Sequence, residues 1–154
     1  MAKPYSGAVY CVNNLAVTIS TAVTIIQIKA VVPLWLIRAS LTQRGSVTSV
    51  QERVQILRLT TASTVTSATP LLYDPGEGAA SAVGGAAATG ITGTVEGGVG
   101  DILVDRGFNV LTGFEWIATT MEMIEVFANT FIALKFPVAP ASQTWSAQMV
   151  FCET

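Results

Sequence analysis

The segment TWSAQMVFC, residues 144–152, alternates between apolar and polar side chains with a period of two. Every odd position from Trp145 to Phe151 is apolar, whereas Ser146 and Gln148 are polar. Successive side chains of a β-strand point to opposite faces of the sheet. The segment therefore predicts a strand with one face buried in a core.

Runs of Val, Ile, Thr and aromatic residues bounded by Gly, Pro and Asn recur along the whole chain and predict further strands. The predicted strands are 7–12, 15–20, 23–31, 34–43, 51–62, 101–106, 108–112, 114–118, 122–127, 130–136 and 144–152. Many short strands at close spacing are typical of a β-sandwich or barrel. With 154 residues, the chain is long enough to bury a core as one domain, 1–154.

Three local features refine the strand assignment. The pair Asn13-Asn14 predicts a turn between the first two strands. The alternation around Ile56 changes phase at Leu57, which a β-bulge or burial on both faces would explain. Thr119 and Glu122 have the spacing of a helix capping box, so a short helix is an alternative there, although the neighbouring β-branched and aromatic residues favour a strand.

Residues 76–100 differ in composition from the rest, since they hold nine of the 13 glycines and six alanines. Such a segment has little side chain to bury and a high entropy cost of ordering. A loop of this length in a small domain is usually functional or disordered. We expect a Gly/Ala-rich loop or arm that orders against a neighbour, and a solvent-exposed insertion is the alternative.

The composition is apolar and poor in charge. Hydrophobic residues make up 51% and charged residues 12%, against about 25% charged in an average domain. This favours a surface that becomes buried in an assembly. The run 15–37 is interrupted by Lys29 and Pro33, and the N-terminus lacks the pattern of a signal peptide, so we expect neither a membrane partner nor secretion.

The net charge of −2 is unevenly distributed. Residues 1–58 contain six basic residues and one acid, and residues 59–154 contain two basic residues and nine acids. The two parts either neutralise each other within one fold or form complementary patches that meet between subunits. The basic and aromatic residues do not interleave, so no nucleic-acid partner is expected.

The sequence offers little to catalysis, because it contains no histidine, the commonest general base and metal ligand. No nucleophile elbow or phosphate-binding loop occurs. Asp101 with Asp105, or Glu122 with Glu125, could form a carboxylate pair, but a solvated charged face is the simpler interpretation. Asp101 with Asp105 and the turn at Asp74 and Glu77 could also be calcium ligands, but the sequence has no D-x-D-x-D-G loop. We therefore predict that the protein is not an enzyme and has no catalytic residue, cofactor or metal.

The cysteines and tryptophans leave alternatives open. Cys11 and Cys152 are either two free thiols buried in separate strands, or the first and last strands are neighbours and bring the two sulfurs close. Core packing is the default interpretation of the three tryptophans. Stacking on a sugar or an anchoring role in an interface is the other interpretation.

Three stretches together resemble a family of tailed-bacteriophage proteins that decorate, or cement, the capsid. The first comprises ERVQILR (52–58) followed by ATPLLYDPGEGAA (68–80). The second runs from FNV (108–110) through GFEW (113–116) to EMIEV (122–126). The third is FIALKFPVAP (131–140) with the closing strand through Glu153. The first forty residues match the family only as a generic strand pattern. The contacts between subunits are therefore the part of the family's structure that the resemblance predicts least well for this chain.

This resemblance implies a jelly-roll-like β-sandwich that forms homotrimers on the outer surface of a virion. Such a trimer, made in the host cytoplasm, bridges neighbouring subunits of the major capsid protein and stabilises the shell. Another virion component, such as a head fibre or tail part, and a carbohydrate-binding β module are the alternatives. The basic first third, the turn before the arm and the arm itself are the predicted interface. Its candidate residues are Lys3, Tyr5, Arg38, Arg44, Asp74, Glu77, Gly84, Gly85, Gly97 and Gly98.

Overall fold

Twelve strands form two antiparallel sheets that pack face to face in the computed structural model, which describes residues 7–45, 48–73, 76, 79–83 and 88–154. The strands are β1 (Val9–Ile19), β2 (Thr24–Lys29), β3 (Leu34–Arg44), β4 (Gln51–Leu59), β5 (Thr64–Ser67), β6 (Leu71–Leu72), β7 (Gly90–Val95), β8 (Val99–Asn109), β9 (Phe114–Ile117), β10 (Ile124–Val126), β11 (Phe131–Lys135) and β12 (Gln143–Glu153). These ranges contain no helix. The predicted all-β sandwich is confirmed.

The first sheet has the order β10-β3-β12-β1-β6, and β9 also pairs with β3 beside β10. The second sheet has the order β5-β7-β2-β11-β4-β8. Between them lies one hydrophobic core, to which β12 contributes the apolar face predicted from its alternation. Trp145 is fully buried in this core and contacts the rings of Phe108 and Phe136.

The first and last strands are neighbours, because β1 pairs with β12 along most of its length. Cys11 lies opposite Val150, and Cys152 lies opposite Val9, so the two cysteines share a face and are offset by two residues. Both are buried free thiols, and burial raises the pKa of the Cys11 thiol. Both the buried thiols and the strand pairing are therefore confirmed.

The predicted turn at Asn13-Asn14 is wrong, because β1 continues through it. The buried Asn14 amide donates hydrogen bonds to the Ile25 carbonyl oxygen at 2.9 Å and to Thr92 Oγ1 at 3.0 Å. Its polar groups are thus satisfied by the other sheet rather than by a turn. The irregularity lies further on, at Ala16, where the register shifts and φ is 54°.

Residues 101–106 and 108–112, predicted as two strands, belong mainly to one long strand, β8. The phase change at Leu57 is explained by burial on both faces, because its side chain packs with Leu59 and Ala133 away from the main core. β4 pairs with β11 without a register shift, and the register shifts beside Leu57 come from extra residues on β8. Thr119 and Glu122 form a hydrogen-bonded turn instead of a helix.

Three short strands, β5, β6 and β7, were not predicted. β7 lies inside the Gly/Ala-rich segment 76–100, where Gly90 lets the backbone of β7 approach that of Thr66 closely. Before β7 the described residues are irregular and dock on the same chain. Val83 is fully buried, and Glu153 accepts hydrogen bonds from Ser81 Oγ and from the backbone N–H of Ala82 and Val83. This part of the segment therefore contacts its own chain, and its ordering against a neighbour stays a prediction.

Candidate interaction surface

Part of the outer face of the second sheet is covered by its own chain. The connections 60–63 and 96–98 run side by side, joined by the hydrogen bond from Thr60 N–H to the Gly98 carbonyl at 2.8 Å. Ser63 lies against Gln27, which faces away from the core and is fully buried. The Ser63 N–H donates to Gln27 Oε1 at 2.8 Å. This face is therefore closed to partners where the two connections cross it.

A partly buried ion pair fastens the second connection to the sheet. Lys135 Nζ lies 2.8 Å from Glu96 Oε2, and the two side chains are 11% and 29% exposed. Glu96 also accepts hydrogen bonds from the N–H and hydroxyl of Thr24, each at 2.8 Å. Burial would raise the pKa of Glu96, but its contacts with Lys135 and Thr24 outweigh burial and hold the pKa below its ordinary value.

Gly97 and Gly98, two of the predicted interface residues, lie in this connection. A Cβ on Gly97 would overlap the carbonyl oxygen of Thr61, and one on Gly98 would overlap Thr60 Oγ1. The close approach of the two connections therefore explains both glycines within one chain. Their part in an interface stays a prediction.

The outer face of the first sheet carries polar side chains across four strands. Asn13, Gln148, Ser40 and Glu115 are paired in one row, from β1 through β12 and β3 to β9. Asn13 Oδ1 accepts a hydrogen bond from Gln148 Nε2 at 2.8 Å. The half-buried Arg38 lies beside this row, with Nη2 donating to Gln148 Oε1 at 3.4 Å and Nε 3.7 Å from Glu115 Oε2.

Arg38 is thus part of a side-chain network on the open face of the first sheet. Arg44, the last residue of β3, lies opposite Thr144 and is exposed. The structure places these two predicted interface residues on the same sheet, apart from Gly97 and Gly98. The remaining candidates lie outside the described residues: Lys3, Tyr5, Asp74, Glu77, Gly84 and Gly85.

The uneven charge along the sequence is partly neutralised within the fold. Arg38, Arg53 and Arg58 of the basic first part lie near Glu115, Asp105 and Asp101 of the acidic second part. Hydrogen bonds from Arg53 and then Gln55 lower the pKa of Asp105 to about 2. These three pairs support internal neutralisation, the first of the two interpretations of the charge pattern.

A cleft of about 360 Å³ opens at one side of the sandwich, where the edges of the two sheets meet. β8 is the edge strand of the second sheet, and β9 and β10 form the facing edge of the first. The cleft has apolar walls with one basic and one acidic residue. It is lined by Leu103, Val104, Arg106, Trp116, Glu122 and Ile124.

Exposed apolar side chains also lie on the strands and the turn that border this cleft. Met121, in the turn between β9 and β10, is 96% exposed. Ile117 at the end of β9 is 59% exposed on the outer face of the first sheet, and Ile102 and Val99 on β8 are about half exposed on the outer face of the second. An apolar side chain that is almost fully in water gains nothing from the fold of its own chain. We call these residues and the cleft the open side.

Arg106 and Glu122 carry the charges of the cleft. Within the described part of the chain, the Arg106 guanidinium has no ion pair or hydrogen bond. The Glu122 carboxylate accepts a hydrogen bond from Thr119 Oγ1 at 2.9 Å and is otherwise free to bind a cation. The cleft can thus accept an apolar group flanked by charges of either sign.

The open side was not among the predicted interface residues. Trp116 is half-buried, packs against the core and also lines the cleft, whereas Trp145 is fully buried in the core. The pattern could have indicated Met121, because it is an apolar residue in a polar turn. The cleft depends on which strands form the two edges, and strand order is not visible in the local pattern.

The described ranges hold no group of three or more acidic or cysteine side chains arranged to bind a metal ion. None of the chain segments in them forms a helix long and apolar enough to span a bilayer.

Comparisons with known proteins found no match: no family model, no curated protein and no solved structure is similar to this chain.

Proposed function

We propose that this protein is a capsid decoration, or cement, protein of a tailed phage. It forms homotrimers on the outer surface of the virion and bridges neighbouring subunits of the major capsid protein. It is made in the host cytoplasm and has no enzymatic activity. The open side is the observation that carries the proposal, since a nearly fully exposed Met121 beside an apolar cleft suits a chain that works in contact with other chains.

Such a role requires binding to the capsid but no catalysis. A protein that binds the assembled lattice, and not the free capsid subunits, stabilises the shell by linkage. Three binding sites on one trimer convert weak contacts into strong attachment. The low fraction of charged residues, 12%, and the sandwich with part of one outer face covered by its own chain both support a building block of this kind.

The resemblance in residues 52–80, 108–126 and 131–140 supports the capsid as the partner. Purified capsids stripped of this protein and then re-decorated test it. We expect re-decorated shells to rupture at a temperature several degrees above that of stripped shells. Equal rupture temperatures at saturating protein would overturn the stabilising role.

A carbohydrate-binding module is the second candidate, because Trp116 lines the cleft together with Glu122 and Arg106. An aromatic ring beside hydrogen-bonding side chains can hold a sugar ring. A glycan array would decide between the two. Binding that is lost in the variant Trp116→Ala supports the module, and the absence of binding favours the structural role.

A further inference from the structure

We propose that the open side is the contact between copies of this chain, with Met121 of one copy inserted into the cleft of the next. The inference rests on the proposed self-association and names its surface. The shape of this surface suits such a contact. Met121 projects from the turn between β9 and β10 at 96% exposure, and a cleft of about 360 Å³ lies beside that turn.

Methionine is well suited to this insertion, because its unbranched, polarisable side chain adapts to irregular apolar surfaces and contacts aromatic rings favourably. The walls of the cleft provide such surfaces in Leu103, Val104 and Ile124, and an aromatic ring in Trp116. An apolar anchor in a fully desolvated pocket is the usual centre of a protein interface.

The charges of the cleft can pair between copies. Arg106 on β8 has no ion pair among the described residues, and Glu122 is the residue next to Met121. When Met121 of one copy enters the cleft of another, it brings its own Glu122 towards the Arg106 of that cleft. In a closed ring of copies, such as the proposed trimer, each contact therefore closes one pair of opposite charges.

The contact involves side chains and not the addition of a strand to the edge of the sheet. On β8, Ile102 pairs with Leu57 and Val104 with Ile56, so Leu103 is left in a bulge. Arg106, opposite the core residue Val54, is a charged residue on the inner face of the same edge strand. Bulges and inward charges are the devices that prevent strands from pairing edge to edge.

Sedimentation equilibrium on the wild type and single variants at micromolar concentration tests the contact. We expect a trimer for the wild type and a monomer for Met121→Lys at the same concentration. The matched control is Leu15→Lys, because Leu15 is 68% exposed but lies on β1, away from the open side. The control should associate like the wild type, and circular dichroism should show that both variants are folded.

Charge reversal tests the pairing directly. Arg106→Glu and Glu122→Arg should each weaken association, and the double variant should restore it. A wild-type monomer would overturn the proposed self-association itself. A wild-type trimer that Met121→Lys and the charge reversals leave unchanged would overturn only the assignment of this surface.

Discussion

Glu96 and Lys135 are the residues on which the attachment of the second connection depends. Replacing Glu96 by Gln leaves the ammonium of Lys135, which is 11% exposed, without a counter-charge. Removing the exposed partner of this pair is costly because the charge of the buried Lys135 stays desolvated. We expect Glu96→Gln to lower the free energy of unfolding by about 2 kcal/mol, measured by urea denaturation.

The matched control is Glu115→Gln on the other sheet. Glu115 Oε2 lies 3.7 Å from Arg38 Nε, and both side chains are more than a third exposed. Exposed pairs contribute little, so the control should stay within about 0.5 kcal/mol of the wild type. Equal losses in the two variants would contradict the distinction between the partly buried and the exposed pair.

The carboxylates of Glu96 and Asp105 predict how the stability of the fold depends on pH. The pKa of Glu96 lies below its ordinary value of 4.5, and that of Asp105 is lowered from 3.8 to about 2. A lowered pKa in the folded state means that the unfolded chain binds protons first as the pH falls. Stability should therefore be constant near neutral pH and decline from about pH 4.5 to about pH 2.

Urea midpoints of the wild type and Glu96→Gln at pH 7, 4 and 2.5 measure this effect. The difference between the two proteins should shrink as the pH falls, because protonation removes the charge that the variant already lacks. A difference that is the same at pH 2.5 and pH 7 would show that the Glu96 carboxylate is not the titrating group.

At the scale of elements, the two connections 60–63 and 96–98 depend on glycine for their close approach. Gly97→Ala would force its Cβ into the carbonyl oxygen of Thr61. We expect a loss of about 2 kcal/mol, since backbone must move to relieve the overlap. Gly107→Ala is the control, because the nearest atom to its Cβ would be the Glu52 oxygen at 3.9 Å.

The control should be neutral or slightly stabilising, since alanine lowers the entropy of the unfolded chain where its conformation is compatible. Thermal unfolding of the two variants beside the wild type compares the sites. A Gly107→Ala variant as unstable as Gly97→Ala would indicate a general intolerance of alanine and not a local overlap.

The alternating pattern predicted the elements whose one face meets the core, such as β12 from Trp145 to Phe151. It failed where a long-range contact replaces a local one. Asn14 looks like a turn residue, but its amide is satisfied by Ile25 and Thr92 across the sandwich. The strand β7 was missed because Gly90 and Gly93 contribute no side chains to a pattern, only room for neighbouring chain atoms.

The candidate site was less predictable than the fold for a related reason. Arg38 was identified from its charge, and the structure places it on an open face. The cleft, however, is formed by residues of β8, β9 and β10, which meet only because of the order of strands in the two sheets. A local pattern does not encode that order, so Met121 and Trp116 could not be joined into one surface beforehand.

For the whole molecule, self-association predicts a melting temperature that depends on concentration. Association binds only the folded chain, so raising the concentration stabilises the folded state by mass action. For a trimer of this size, a hundredfold rise in concentration should raise the melting temperature by about 5 °C. Calorimetry of the wild type at two concentrations measures the shift.

Met121→Lys should melt at one temperature regardless of concentration, close to that of the dilute wild type, because Met121 contributes little to the fold of a single chain. Leu15→Lys should keep the concentration dependence, since Leu15 lies away from the open side. A wild type whose melting temperature is independent of concentration would contradict self-association. If Met121→Lys kept the concentration dependence, the contact would lie on another exposed surface, such as the polar outer face of the first sheet around Arg38 and Gln148.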